Sequence, residues 1–178
     1  MPVNLVNFDQ STHYVNTVYA DANFVWFIRD RLASKYTTAA TILGNLIVQR
    51  IQIFISCLVI DELWYSLIRG WYRRFEGKRL STQDIKTDPS ILSRYSYHIG
   101  RNTLKVLKIP NLEILPRQQS PRGIIDQAMN IYASENLMPR DSFHLAYVMA
   151  HGIKGFITSD PDFDNLQLPT YDLTIYKY

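Results

Sequence analysis

Short apolar segments alternate along this sequence with longer segments of helical periodicity, and this alternation limits the folds open to the chain. Runs rich in β-branched and aromatic residues predict strands at 16–20, 51–55, 112–115 and 155–158, with a further edge strand at 173–176. Strands that alternate with helices favour a three-layer α/β/α domain. We therefore predict a central, mostly parallel sheet of four to five strands.

The segments between these strands repeat apolar residues at helical spacing. Helices are predicted over residues 24–32, 37–50, 58–74, 91–107, 121–136 and 140–151. Ser56 is expected to cap the third of them, Ser120 precedes the fifth, and Gly152 closes the last. The first fifteen residues are predicted to be an N-terminal extension or an edge element, and 77–90 a loop.

Length, charge and cysteine content narrow the class of protein. A chain of 178 residues suits one domain, 1–178, with a substantial core. The single cysteine, Cys57, allows no disulfide within the chain, which favours a reducing cytoplasm. We see neither a signal peptide nor an apolar run long enough to span a bilayer, so no membrane partner is expected. A net charge of +3 is compatible with a nucleic-acid partner but does not demonstrate one.

Carboxylates recur where the predicted elements end. Asp21 follows the first strand, Asp61 and Glu62 open the helix after the second, and Asp160 follows the fourth. Asp141 lies in the first turn of the helix that leads into that fourth strand. Because the carboxyl ends of parallel strands meet at one edge, we expect these groups to share a crevice. Crowded carboxylates repel one another, and a hard cation such as Mg²⁺ or Mn²⁺ relieves that repulsion.

Each carboxylate also has an ordinary structural interpretation. Asp21 is suited to capping a helix, Asp141 to the positive end of a helix dipole, and Asp160 to starting a turn. Glu62 could be a solvated helix residue, with Asp61 competing for its role. Taken together, the coincidence at one sheet edge favours a site.

Other kinds of site have weaker support. The sequence lacks a glycine-rich phosphate loop and a Gly-x-Ser-x-Gly elbow. An all-carboxylate set argues against zinc. As a catalytic nucleophile, Cys57 would need a base and a third group that orients that base, and the sequence identifies no such third group. A buried structural thiol is therefore the favoured interpretation of Cys57.

Four segments together resemble the PIN domain, a nuclease family that includes the VapC-type toxins of toxin–antitoxin pairs. They are Tyr19-Ala-Asp-Ala-Asn23, Ile55-Ser-Cys-Leu-Val-Ile-Asp-Glu-Leu63, Pro139-Arg-Asp-Ser-Phe-His-Leu-Ala146 and Phe156-Ile-Thr-Ser-Asp-Pro-Asp-Phe163. The last two are the most specific, and the resemblance extends from about residue 16 to residue 163.

The resemblance implies an RNA-cleaving hydrolase that depends on Mg²⁺ or Mn²⁺. The acidic site that it implies consists of Asp21, Glu62, Asp141 and Asp160, with Asp162 as a fifth member. Asn23, Thr158 and Ser159 are implied as auxiliary groups. His144 would share a helix face with Asp141, where a partly buried packing role is favoured over a ligand role. Asp164 is expected to be solvated.

The segment between Glu62 and Asp141 is longer than in compact toxins of this type, and we interpret 69–110 as an extended helical insert. It mixes aromatic residues with the basic residues Arg69, Arg73, Arg74, Lys78 and Arg79. These side chains could track RNA, or they could form a solvated helix end. The insert could instead serve an antitoxin or a dimer partner.

The function predicted from the sequence is therefore that of a metal-dependent endoribonuclease, the toxin of a pair. Its expected partners are RNA, a cognate antitoxin and a second copy of the chain. The alternative is a catalytically inactive PIN-like scaffold that binds RNA or a protein. A DNA nuclease of the flap type shares the metal chemistry and is a third hypothesis.

Overall fold

A parallel sheet of six strands forms the centre of the molecule. The computed structural model describes residues 3–9, 12–115 and 121–178, so Ser120 and parts of the N-terminal segment lie outside the described residues. The strands are β1 Asn4–Asn7, β2 Thr17–Ala20, β3 Gln52–Ile55, β4 Leu112–Ile114, β5 Gly155–Thr158 and β6 Thr174–Lys177. Their spatial order is β1-β6-β5-β2-β3-β4, and every pair is parallel.

Eight α-helices connect these strands within the described residues. They are α1 Ala22–Phe27, α2 Tyr36–Val48, α3 Cys57–Glu76, α4 Thr82–Thr87, α5 Ile91–Arg94, α6 Ser96–Val106, α7 Pro121–Glu135 and α8 Pro139–Ala150. A short 3-10 helix, Pro161–Phe163, follows β5. The predicted α/β class and parallel sheet are confirmed, with one strand more than expected.

The extra strand comes from the N-terminal segment. Residues Asn4–Asn7 pair in register with Thr174–Lys177, which makes β1 the edge strand and places β6 inside the sheet. The prediction that 173–176 is an edge strand was therefore wrong. The signal was weak because β1 is short, polar at both ends and largely exposed.

Three helical segments also differ from their predictions. The helix expected over 24–32 ends at Phe27. The predicted loop 77–90 contains α4, where Ser81 and Asp84 form a capping box that nucleates the helix. The helix expected over 91–107 is divided at Tyr95 into α5 and α6.

The central strands β2 and β5 fix where a site can form. Val18, Tyr19, Ala20, Phe156 and Ile157 in these two strands are fully buried. From β2 the chain proceeds through β3 to β4 on one side, whereas β5 and β6 lie on the other side. This reversal makes the carboxyl edge of β2 and β5 a topological switch point, where parallel sheets place their crevice.

The close approach of β5 to β2 requires glycine at 155. A Cβ there would lie 2.7 Å from Val18 Cγ1 and 2.8 Å from Val15 Cγ2. We therefore expect Gly155→Ala to lower the free energy of unfolding by about 1–3 kcal/mol through overpacking. Denaturant unfolding followed by circular dichroism measures this change.

Gly100→Ala in α6 is the matched control, because its added Cβ meets no atom of the described residues within 4 Å. We expect a gain of about 0.5–1 kcal/mol from helix propensity. Equal stabilities for the two variants would contradict this description of the β2–β5 packing.

Candidate active site

Four carboxylates that were predicted to share a crevice line one pocket of about 270 Å³. Asp21 follows β2, Glu62 lies in the second turn of α3, Asp141 in the first turn of α8, and Asp160 directly after β5. The remaining wall is formed by Ala22, Asn23, Tyr65, Ser66, Arg69, Arg140, His144 and Phe163. The parallel sheet therefore brings together groups that are up to 139 residues apart in the sequence.

Asp21 is the most deeply placed of the four. It caps α1, with Oδ1 accepting the Phe24 amide at 2.7 Å, and Oδ2 accepting the Thr158 hydroxyl at 2.6 Å. The carboxyl group is almost completely buried, and this burial raises its pKa to about 6 despite both hydrogen bonds. The capping role that we considered from the sequence is therefore real, and it holds the carboxylate on the pocket wall.

Thr158 links Asp21 to Asp160. Its hydroxyl donates to Asp21 Oδ2 and accepts the Asp160 amide at 2.9 Å. Asp160 Oδ1 in turn accepts the Asp162 amide at 3.0 Å, which opens the 3-10 helix. One buried hydroxyl thus sets the positions of two carboxylates on neighbouring strands.

The other predicted members of this segment have different surroundings. Asp162 is exposed and lies outside the residues that line the pocket in the described part of the chain, although its charge contributes to raising the pKa of Asp141. Ser159 is half-buried, near the Tyr178 ring hydroxyl. Asp164 was expected to be solvated, but it pairs with Lys177 Nζ at 2.6 Å.

Asp141 carries the clearest sign of crowded charge. Burial, and then the negative charge of Asp160, raise the pKa of Asp141 to about 6, with smaller contributions from Asp162 and Glu62. The imidazole of His144 opposes this shift. The site therefore concentrates more negative charge than its own cations offset.

A buried polar chain that we did not predict positions Glu62. Glu62 Oε2 lies 3.0 Å from His144 Nε2, His144 Nδ1 lies 2.8 Å from the Tyr19 hydroxyl, and that hydroxyl lies 2.7 Å from Ser56 Oγ. Because an ionised carboxylate only accepts, Nε2 donates to Glu62, and Nδ1 shares a hydrogen bond with the Tyr19 hydroxyl. His144, only 3% exposed, is thus a hydrogen-bonded member of the pocket rather than a partly buried packing residue.

Two expectations about the residues at the start of α3 differ from the structure. Within the described residues, the Ser56 side chain makes no helix-capping hydrogen bond, since its hydroxyl bonds Tyr19 instead. Cys57 is exposed, so the prediction of a buried thiol was wrong.

Glu62, and not Asp61, faces the pocket. The Asp61 side chain is 67% exposed and lies 3.7 Å from Arg140, whereas Glu62 is one of the residues that line the pocket. Arg140 also approaches Glu62 Oε1 at 3.6 Å, which places a cation on the pocket rim.

The five basic residues singled out in the sequence have separate environments. Arg69 lines the acidic pocket and also an adjoining groove of about 410 Å³ that includes Arg73 and Arg79. Arg74 lies over the Trp71 ring, 5.0 Å from its centroid. Lys78 pairs with Asp84 at 2.8 Å and is therefore already neutralised.

The donor chemistry of the pocket fits a hard divalent cation. Among the described residues, no group of three or more His, Cys, Asp or Glu side chains is arranged to hold a metal ion as it stands. Four carboxylates that line one pocket nevertheless supply the oxygen ligands that Mg²⁺ or Mn²⁺ prefers.

No helix in the described parts of the chain combines the length and the apolar character that a membrane crossing requires.

The fold and the pocket define a class, that of α/β proteins with an acidic centre at the carboxyl edge of a parallel sheet. Residues 18–168 match the profile of the PIN domain. The chain therefore belongs to the PIN domain family, which is a family of nucleases.

Solved structures are similar to this chain at low sequence identity. VapBC2 from Rickettsia felis, bound to a DNA fragment from its promoter, is 14% identical, with a TM-score of 0.53 over 89% of this chain and 98% of that one. VapC20 from Mycobacterium tuberculosis, a toxin that cleaves the sarcin–ricin loop, is 14% identical, with a TM-score of 0.49 over 83% and 92%. A toxin–antitoxin complex from Klebsiella pneumoniae is 15% identical, with a TM-score of 0.45 over 88% and 99%. A search of curated proteins found no match.

The raised pKa of Asp141 makes a prediction about stability in the metal-free protein. Since the pKa in the folded state, about 6, exceeds the ordinary value of 3.8, this group contributes stability below pH 4 that is lost as the pH rises through 6. We expect Asp141→Asn to raise the free energy of unfolding at pH 7.5 by about 1 kcal/mol, less than a fully buried carboxylate would give. The gain should disappear at pH 4.

Thermal unfolding in a chelator at both pH values measures this effect, and about 1 kcal/mol corresponds to roughly 2–4 °C in Tm. Asp126→Asn is the control, because that side chain is 62% exposed on α7. A Tm for Asp141→Asn at or below that of the unmodified protein at pH 7.5 would contradict the crowding of charge at this site.

Proposed function

We propose that this protein is an endoribonuclease that hydrolyses RNA phosphodiester bonds with Mg²⁺ or Mn²⁺. The observation that carries this proposal is that Asp21, Glu62, Asp141 and Asp160, from four separate elements, line one pocket. Membership of a nuclease family gives the class of reaction. The composition of the pocket is in keeping with that class.

Asp21, Glu62, Asp141 and Asp160 are the residues that we propose as metal-holding and catalytic, with Asp162 as an auxiliary. A divalent ion bound there lowers the pKa of a water molecule and offsets negative charge on the phosphodiester. The raised pKa values of Asp21 and Asp141 mean that both are partly protonated near pH 6 in the metal-free protein. Activity should therefore be favoured above that pH.

The chain's own residues orient these carboxylates. Thr158 and the Phe24 amide fix both oxygens of Asp21, and His144 holds one oxygen of Glu62. These contacts hold the side chains of Asp21 and Glu62 at the pocket wall, so less conformational entropy has to be lost on substrate binding. Asn23 and Ser159 complete the proposed auxiliary set, Asn23 on the pocket wall itself.

Cations at the rim are positioned to hold the substrate. Arg140 and Arg69 line the pocket, and Arg73 and Arg79 continue along the adjoining groove. Guanidinium groups form charge-assisted hydrogen bonds with phosphate oxygens. We propose that the RNA backbone enters along this groove, with Arg74 farther out and Lys78, which is already paired, contributing least.

We further propose that the protein is a toxin with a cognate antitoxin and acts in the cytoplasm, as a homodimer. Support comes from the fold that it shares with VapBC2 of R. felis. A small adjacent reading frame that encodes a DNA-binding protein, and a stable complex on coexpression, would support this role. Failure of the two products to associate would count against it.

A catalytically inactive scaffold is the second candidate function. It is favoured by one observation, that the carboxylates among the described residues do not already form a metal cluster. Such a scaffold would bind RNA or a protein partner without cleaving RNA. The experiment below separates the two.

Glu62→Gln should reduce the rate of RNA cleavage in Mn²⁺ by about 100-fold, because it removes one proposed metal-holding oxygen while keeping side-chain size. Asp61→Asn is the matched control, since it changes the neighbouring carboxylate, which is 67% exposed. We expect the control to retain activity within about twofold. The assay follows labelled single-stranded RNA and DNA of one sequence side by side.

Loss of activity in Glu62→Gln with the control intact supports the assigned pocket. Equal activity in all three proteins would place the chemistry elsewhere, and no cleavage by the unmodified protein would favour the scaffold. Cleavage of DNA alone would reassign the substrate.

A further inference from the structure

A second, strongly basic trough lies beyond the Arg69 groove. It has a volume of about 680 Å³ and is enclosed by α3, α6 and the segment that follows α1. Five cationic side chains line it against one carboxylate, that of Asp30. The cations are Arg29, Arg31, Arg74, Arg101 and Lys105. We call it the distal trough.

The positive charges of the distal trough are not offset by the protein. Within the described residues, the ion pairs closer than 4.0 Å involve none of the five. Arg101 and Arg29 lower the pKa of Lys105, as expected for cations that repel one another. Asp30 supplies a single negative charge against these five cations, and its Oδ1 accepts the Leu32 amide at 3.1 Å.

One of the five cations is also left with an unmet hydrogen-bonding group. Arg29 Nε is buried and has no acceptor among the described residues. Burial, more than its cationic neighbours, lowers the pKa of this guanidinium. A buried donor without an acceptor is costly, and an oxygen-rich anion in the trough would satisfy it.

Two aromatic side chains, Trp71 and His98, line the distal trough beside these charges. Trp71 stacks on His98 with centroids 4.3 Å apart and planes 27° apart, and Arg74 lies over Trp71. Rings beside cations are the combination that binds single-stranded nucleic acid, where bases stack and phosphates pair. An acidic peptide would use the cations but not the rings.

The distal trough adjoins the Arg69 groove, which in turn adjoins the acidic pocket. It shares Trp26 and Gly70 with the Arg69 groove, which shares Ser66 and Arg69 with the pocket. A single polyanion can therefore follow positive side chains from the carboxylates to α6. Beyond the acidic pocket itself, Asp30 is the one acidic residue among the described residues that line the groove and the trough.

We propose that the distal trough is a second binding site for the substrate RNA, which holds single-stranded nucleotides several positions away from the bond that is cleaved. This inference rests on the proposed function and deepens it. The protein then discriminates substrates by the length of the single-stranded segment beside the cleavage position. Short RNA reaches only the acidic pocket and the Arg69 groove, whereas longer RNA also gains the trough contacts.

The test compares RNA of two lengths, about 12 and about 4 nucleotides, a range that brackets common single-strand sites. The variant is Arg101→Ala with Lys105→Ala, both exposed on α6, and the control is Lys86→Ala with Arg122→Ala, which removes equal charge elsewhere. Binding is measured by fluorescence anisotropy in a chelator, at several salt concentrations. Circular dichroism checks that all proteins are folded.

We expect the variant to reduce the preference for the longer RNA about tenfold, as the ratio of the two Kd values. The salt dependence of binding to the longer RNA should fall by about 1.4 in log–log slope, since each lost phosphate contact on a single strand contributes about 0.7. The control should keep both the ratio and the slope. In cleavage assays with Mn²⁺, the variant should raise KM for the longer RNA with little change in kcat.

Three results would overturn the inference, and each is distinguishable from failure of the proposed function. If the variant keeps the length preference and the unmodified protein cleaves RNA, the proposed role of the trough is refuted while the proposed function stands. If the variant loses binding to polyglutamate but keeps its binding to RNA, the trough is a site for an acidic polypeptide instead. Equal losses in variant and control show non-specific charge attraction. If the unmodified protein binds longer RNA through the trough but never cleaves it, the proposed function fails and the trough remains.

Discussion

The hydrogen bond from Thr158 Oγ1 to Asp21 Oδ2 joins the two central strands where both of them end. The rest of the pocket depends on this contact. It fixes Asp21 as the cap of α1, and through the Asp160 amide it fixes the turn after β5. The topological switch between β2 and β5 leaves a crevice there, and α3 and α8 supply the other two carboxylates.

Two charge imbalances of opposite sign lie on one continuous surface. The acidic pocket has carboxylates with raised pKa values, and the distal trough has cations that repel one another. Each arrangement lowers the stability of the folded protein, and such costs are common at functional sites. A divalent ion in the pocket would offset the repulsion between the carboxylates, and an RNA backbone in the trough would offset the repulsion between the cations. Binding of both would therefore stabilise the folded protein.

The sequence was sufficient to predict the main strands and the shared pocket, because both depend on local patterns. A β-branched run that ends in Asp21 or Asp160 indicates its own strand end, and parallel strands put those ends at one edge. Thr158, by contrast, was implied as an auxiliary group only by the resemblance to the PIN domain.

What could not be predicted depends on contacts between distant residues. The chain from Ser56 through Tyr19 and His144 to Glu62 joins three separate segments, and a lone histidine in an apolar helix gives no signal of its partners. Arg29 and Arg101 are 72 residues apart and meet only because α6 packs beside α3. The edge strand β1 was uncertain because it is short and polar at both ends, although its residues pair in register with β6.

The central claim is that four carboxylates from four elements form one site for a divalent cation. Calorimetric titration of Mn²⁺ into the unmodified protein, Asp61→Asn and Asp21→Asn, above pH 7, tests it most directly. The account predicts saturable binding at or below millimolar Mn²⁺ for the first two proteins and its loss in Asp21→Asn. An absence of saturable binding by the unmodified protein, or equal binding by all three, would contradict it.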